Sequence, residues 1–270
     1  MRTFTYLIED SATIAKRNVI KIVRVPEVMV FVLMSPIMFV LMFGYVFGNS
    51  INVGEGSGTA YREFLIAGIF AQSVVFGATF TGAGIADDMQ KGIINRFRSL
   101  PMSRAALLAG RTISDVIYNV LSLLIMGLTG LLVGWRVRTS ILDAVVGFLL
   151  LLAFSYAISW IMAYLALLVP SVEVINNASF MVIFPLTFIA NTFVPAENLP
   201  GPLQAFAEWN PVSSVTQAAR EQFGNIPPGT PVPDAWSLQN PIIYTLLWVL
   251  IIIAVFAPLA VRKYNRATKR

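Results

Sequence analysis

Apolar residues in this chain come in six long runs, at 28–48, 64–86, 107–134, 141–169, 174–194 and 241–261, separated by short polar connections. About 20 apolar residues at ~1.5 Å per residue cross a hydrocarbon layer ~30 Å thick. Backbone in lipid must satisfy its own hydrogen bonds, so each run predicts a transmembrane helix. The expected fold class is therefore all-α: a polytopic membrane protein of six transmembrane helices forming one domain over 1–270.

Three polar stretches have patterns of their own. Over 3–24, Phe4, Leu7, Ile8, Ala12, Ala15, Val19, Ile22 and Val23 share one helical face, while Glu9, Thr13, Lys16, Arg17, Lys21 and Arg24 take the other. A basic amphipathic helix beside a first span is expected to lie in the headgroup plane, apolar face down; packing against a partner subunit is the alternative. The segment 87–104 reads as a helix ended by Pro101, with Ser103 placed to cap the next one. Its stripe of Met89, Ile93, Phe97 and Leu100 either docks on a second protein or packs against the inner ends of its own spans. In 195–240, a short amphipathic piece carries Leu203, Phe206 and Ala207. Asn210-Pro211 then supplies an N-cap and an N1 proline for a helix running towards Arg220. These pieces are too short to span and too apolar for a free loop, so they are expected in or dipping into the outer leaflet.

Charge orients the bundle. Fifteen of the 19 Lys and Arg fall in the N-terminal arm, the connection after the second run, and the tail. Six spans put these three regions on one side, which the positive-inside rule makes cytoplasmic, with both termini inside. Arg62, Arg136, Arg138 and Arg220 remain outside; Arg136 and Arg138 strain the rule and are expected to snorkel to headgroups. The first run lacks a small-residue cleavage site, so it is expected to be a retained helix rather than a signal peptide. Ser35-Pro36 and Pro185 predict kinks in the first and fifth spans, and the glycines at 127, 130 and 134 a close helix approach.

Composition then removes chemistries. With 57% hydrophobic and 12% charged residues the chain lies outside the range of soluble domains. It has no Cys and no His, hence no thiol nucleophile, Cys/His metal site or imidazole base. No phosphate-cradling G-x-x-x-x-G-K-[ST] loop exists, since none of the five lysines follows a glycine. Any ATP chemistry must belong to another chain. The clustered positive charge suits a membrane surface, and no nucleic-acid partner is expected.

Inside the spans ionisable groups are few. Arg111 and Asp115 lie four apart on one helix face, as an inner gate or proton path, or as a salt bridge beneath the headgroups. Polar Gln72, Thr79, Thr81, Asn119, Tyr156, Tyr164, Asn176, Asn177, Asn191 and Thr192 are candidate lining of a route. Phe43, Phe76, Phe80, Trp160 and Phe184 are candidates for an apolar aromatic pocket; each of these residues also suits helix packing.

Six spans, an amphipathic N-terminal helix, the segment after span two and broken helices before span six resemble the permease subunit of type 2 ABC exporters. The stretch from Lys91 to Arg104, with Gly110-Arg111 and Asp115, is similar to the daunorubicin-resistance (DrrB-like) branch, as are Phe193-Val194-Pro195, Leu199-Pro200 and Asn210-Pro211-Val212. The resemblance covers essentially the whole chain. It implies an exporter of amphiphilic drugs or lipid-like molecules in a bacterial plasma membrane, built from two permease chains, expected as a homodimer, and two ATPase chains that bind ATP and Mg. It also implies that 87–100 is a coupling helix seated on the ATPase, with Asp88, Lys91, Ile93, Ile94, Arg96, Phe97, Arg98 and Leu100 as contacts and Glu173 in a smaller one. The N-terminal helix would be a connecting helix touching the ATPase. The family also exports glycoconjugates; a proton-coupled secondary transporter, which needs titratable groups near the midplane, and an intramembrane transferase or hydrolase are the readings from other classes.

Overall fold

The computed structural model describes residues 2–23, 34, 37–38, 40–42, 58–94, 106–169, 171–226 and 233–266. Most of the first predicted span, Ser35-Pro36 included, lies outside them. Among the described residues the chain is helical throughout: α1 (Arg2–Val23), α2 (Gly58–Gly77), α3 (Thr79–Gln90), α4 (Ala106–Val133), α5 (Ile141–Ala166), α6 (Val172–Phe188), a 3-10 turn (Ala196–Asn198), α7 (Gly201–Trp209), α8 (Pro211–Phe223), α9 (Trp236–Gln239) and α10 (Pro241–Arg266).

Among the described residues, four helices are long and apolar enough to cross a membrane: Arg62–Gln90, which joins α2 to α3 through a turn at Ala78, then α4, α5 and α10. The joined helix has 29 residues, or about 43 Å of rise. It therefore carries Glu63 and Asp88 to opposite ends of the bundle. Shorter α6, 17 residues, stops at Phe188 although the apolar run continues to 194. Pro185 sits inside its last turn, so it marks the end of the helix instead of bending its middle.

Helix α5 is the hub. Apolar around its whole circumference, it packs against α2, α3, α4, α6, α8 and α10. By contrast, α10 shows a wide exposed apolar face (Ile243, Leu246, Leu247, Leu250, Ile251) and α4 another (Leu124, Leu128, Leu131, Leu132), as helices facing hydrocarbon do.

Two expectations change. In α1 the packed face is Ser11, Ile14, Ala15 and Asn18, lying along α4, whereas Ala12 of the predicted apolar face is exposed. The partner is the chain's own helix, approached closely because position 110 has no side chain. A Cβ there would sit 2.7 Å from the Ser11 carbonyl oxygen and 2.8 Å from Ile14 Cβ. Gly110→Leu is therefore expected to lift α1 off the bundle while the spans remain folded; faster proteolysis of α1 with an unchanged main unfolding transition is the check. The predicted glycines act in part. A Cβ at Gly130 would meet Ile66 of α2 at 3.5 Å, whereas Gly127 has no neighbour within 4 Å and Gly134 lies beyond α4 at φ +103°, where it serves the turn.

Candidate functional site

At the α1 end, polar groups from three helices converge. Arg17 Nη2 donates to Asp88 Oδ2 at 3.0 Å and to Asn18 Oδ1 at 3.1 Å, and Asn18 Nδ2 donates to Ser114 Oγ at 3.4 Å. Helices α1, α3 and α4 are thus tied at one corner. One turn further in, Asp115, 1% exposed, accepts a hydrogen bond from the Thr81 hydroxyl and faces Arg111 Nε at 3.7 Å. Arg111 Nη2 donates to the Phe80 carbonyl at 2.8 Å. Residues 111 and 115 share a face, as the spacing predicts; what they meet on it is α3, so the pair links two helices and not only two turns of one.

Beside this corner the 87–104 segment begins. The predicted continuous helix over 87–100 is broken: α3 ends at Gln90, the amides of Lys91 and Gly92 close its last turn on Asp87 and Met89, and Gly92 takes φ +66°. A left-handed residue reverses the backbone twist and is cheap only for glycine. Asp87 and Asp88 therefore belong to the long span, with Asp88 buried, while Lys91 is exposed and pairs with Asp87 at 2.8 Å. Ile93 is half-buried and Ile94 buried against the same end of the bundle. Arg96, Phe97, Arg98 and Leu100 lie outside the described residues. Glu173 is exposed in the first turn of α6, whose N-terminus Ser171 caps by accepting from the Val174 amide at 3.3 Å.

The described candidate pathway residues engage neighbours within the bundle. Asn119 is 1% exposed and packed between helices, donating to Ser155 Oγ at 2.8 Å while Ser155 donates to the Val74 carbonyl at 3.1 Å. Phe76 contacts Phe180, which stacks on Phe184 at 5.1 Å. Phe80 meets Tyr118 edge-on at 5.4 Å. Tyr156 pairs with Trp160, and Tyr164 with Phe256 of α10. Phe43 lies outside the described residues.

The opposite end holds what the sequence reading underrated. Helix α8 begins as predicted: Asn210 Oδ1 accepts from the Val212 amide at 2.9 Å, with Pro211 at N1. The same side chain, 2% exposed, donates Nδ2 to the Leu186 and Ile189 carbonyls, so one residue starts α8 and finishes α6. Helix α8 then enters the core against α2, α5 and α10. Arg220, 1% exposed, donates Nε to the Phe64 carbonyl at 3.0 Å and Nη2 to the Thr192 carbonyl at 2.8 Å, with its guanidinium 3.4 Å over the Phe64 ring. Trp135 Nε1 and the Arg136 carbonyl both bond Asn225, and the Thr139 hydroxyl donates to the Gln222 carbonyl.

The two arginines expected to snorkel are exposed and also hydrogen-bond to the chain itself. Arg138 Nε and Nη2 donate to both oxygens of Glu63 at 2.7 and 2.8 Å, which hold that guanidinium above its ordinary value. Arg136 Nη1 donates to the carbonyls of Leu131 and Trp135.

A family model described as "ABC-2 type transporter" matches residues 10–223, from within α1 to the end of α8. The chain belongs to the ABC-2 type transporter family. It is similar to the daunorubicin resistance ABC transporter permease protein DrrB1 of Streptomyces coeruleorubidus, at 34% identity over 89% of this chain and 80% of the relative. A probable doxorubicin resistance ABC transporter permease protein, DrrC of Mycobacterium tuberculosis, is 26% identical over 86% of this chain and 80% of its own. The putative transport permease ycf38 of Porphyra purpurea is 22% identical over 83% and 77%. This ABC-2 chain is thus a multi-pass permease, and the ATPase that drives it is a partner chain. The matched region contains both the corner at Asp88 and the Arg220 junction.

Proposed function

We propose that this permease moves amphiphilic drugs or lipid-like molecules outward across a bacterial plasma membrane, as two permease and two ATPase chains. Six spans, counting 28–48, with the α1 end and both termini in the cytoplasm, complete the topology. The observation that carries the reading is the three-helix corner. Arg17 fastens α1 to Asp88 at the end of a 29-residue helix. A push on the segment after Gly92 therefore reaches α1, α3 and α4 together. Moving a two-state pore from 1:99 to 99:1 takes about 5.5 kcal/mol of differential binding, and ATPase closure on two such corners is the source. The drug-resistance names of two relatives support the class of cargo.

Reconstitution with the cognate ATPase tests this: ATP is expected to drive efflux of a lipophilic amine, and Phe97→Ala to leave ATP hydrolysis running with efflux lost. Since the chain has no cysteine, Lys91→Cys also reads orientation; labelling by an impermeant maleimide from outside intact cells would overturn the topology.

A further inference from the structure

Behind Arg220 at the α8 end lies a cavity of about 520 Å³ that no part of the coupling argument uses. Phe64, Ile226 and Leu238 supply apolar wall; Asn191, Gln217 and Glu221 form a polar one, and Glu197 stands at the rim. The polar wall has a direction. Asn191 Nδ2 donates to Gln217 Oε1 at 3.4 Å, and Gln217 Nε2 donates to Glu221 Oε1 at 3.3 Å. Each amide nitrogen uses one of its two N–H groups along this chain, while the Glu221 carboxylate and Asn191 Oδ1 keep acceptor capacity. Asn191 is 4% exposed, yet its Oδ1 has no hydrogen-bond partner, which is costly for a buried polar atom. Burial pushes the Glu221 carboxyl up from its ordinary value, while the Gln217 hydrogen bond pulls it down. Arg220 also lines the cavity and brings one positive charge to it, while its Nε and Nη2 donate to backbone carbonyls.

The geometry points to a binding site for a primary ammonium head on an apolar body, with Asn191 Oδ1 and the Glu221 and Glu197 carboxylates accepting its N–H groups while Phe64 and Leu238 hold the apolar part. Two carboxylates share the cavity with one guanidinium, so an ammonium balances the remaining negative charge, whereas an anionic head adds to it. The inference deepens the exporter reading, on which it rests for direction: the cavity would be a last station on the far side of the membrane. Aminolipid headgroups carry the same ammonium as an exported amine.

Fluorescence titration of the full-length permease in phosphatidylcholine nanodiscs tests the site, using dansylcadaverine and its N-acetyl derivative, which lacks the charge. The amine is expected to bind about tenfold more tightly than the acetylated form. Glu221→Gln, which keeps the shape of the wall, should reduce that preference to less than about twofold. Glu197→Gln, at an exposed position with no folding risk, should reduce it about threefold. An equal affinity of wild type for the two probes, or an undiminished preference in both variants, overturns the site. In phosphatidylethanolamine nanodiscs a raised Kd for the amine marks the lipid head as a competing occupant; an unchanged Kd assigns the site to cargo. ATP-driven efflux with no ammonium preference would remove the site and leave the exporter; the preference without efflux would do the reverse.

Discussion

Replacing Arg220 with methionine is expected to cost about 3–5 kcal/mol, because two core carbonyls each lose a charged donor. Those carbonyls belong to Phe64 in α2 and Thr192 after α6, and both hydrogen bonds are buried. Methionine fills comparable volume but donates nothing, so α8 loses its hold on two helices at once. Arg220→Lys should recover little, as a single ammonium cannot reproduce the guanidinium fork. The surroundings offer no slack: a Cβ at Gly68 would lie 2.1 Å from the Thr192 oxygen. Thermal unfolding in detergent reads the outcome, and a lysine variant as stable as wild type would show that the fork is unnecessary.

The second large effect is expected at Asp115. Asp115→Leu leaves the Arg111 guanidinium, whose side chain is 14% exposed, facing α3 without its counter-charge, and takes the acceptor from Thr81. Breaking a buried pair on one side typically costs about 3–5 kcal/mol. The double variant Arg111→Leu with Asp115→Leu removes both charges and should regain most of that stability. Its transport then separates the two roles: a well-folded double variant that still exports under ATP makes the pair a fastening between α3 and α4, and one that folds but does not export makes it part of the gate.

What could be read from the chain was local. The Asn210 cap, the proline at 211 and the i,i+4 pair at 111 and 115 are all written within a few residues and present in the structure, and four of the six long apolar runs form span-length helices among the described residues. What could not be read depends on partners far along the chain. Gln217, Arg220 and Glu221 make α8 look like surface, and its burial is intelligible only once carbonyls 156 and 28 residues away are known. Arg138 looked like a headgroup ligand because its partner Glu63 is 75 residues distant. In α1 the predicted apolar residue Ala15 is buried, and Ser11 and Asn18, outside the predicted apolar face, are buried beside it for the same kind of reason. The pattern describes a helix meeting lipid, whereas the bare backbone at Gly110 offers it a closer seat. Of the candidate site, the coupling end was visible as an acidic-to-basic segment, but its break was signalled only by Gly92. Asn191 was visible as a polar residue in an apolar run, without any hint of the cavity it faces.

The stitching of α8 to the turn before α5, through Asn225 with Trp135 and Gln222 with Thr139, also fixes an order of manufacture. Helices α2 and α5 leave the ribosome long before residue 226, and until then the slot that Arg220 will close stands open in the bilayer. A nascent chain halted before that point lacks both the Arg220 donors and the Asn225 and Gln222 ties that join α8 to the bundle.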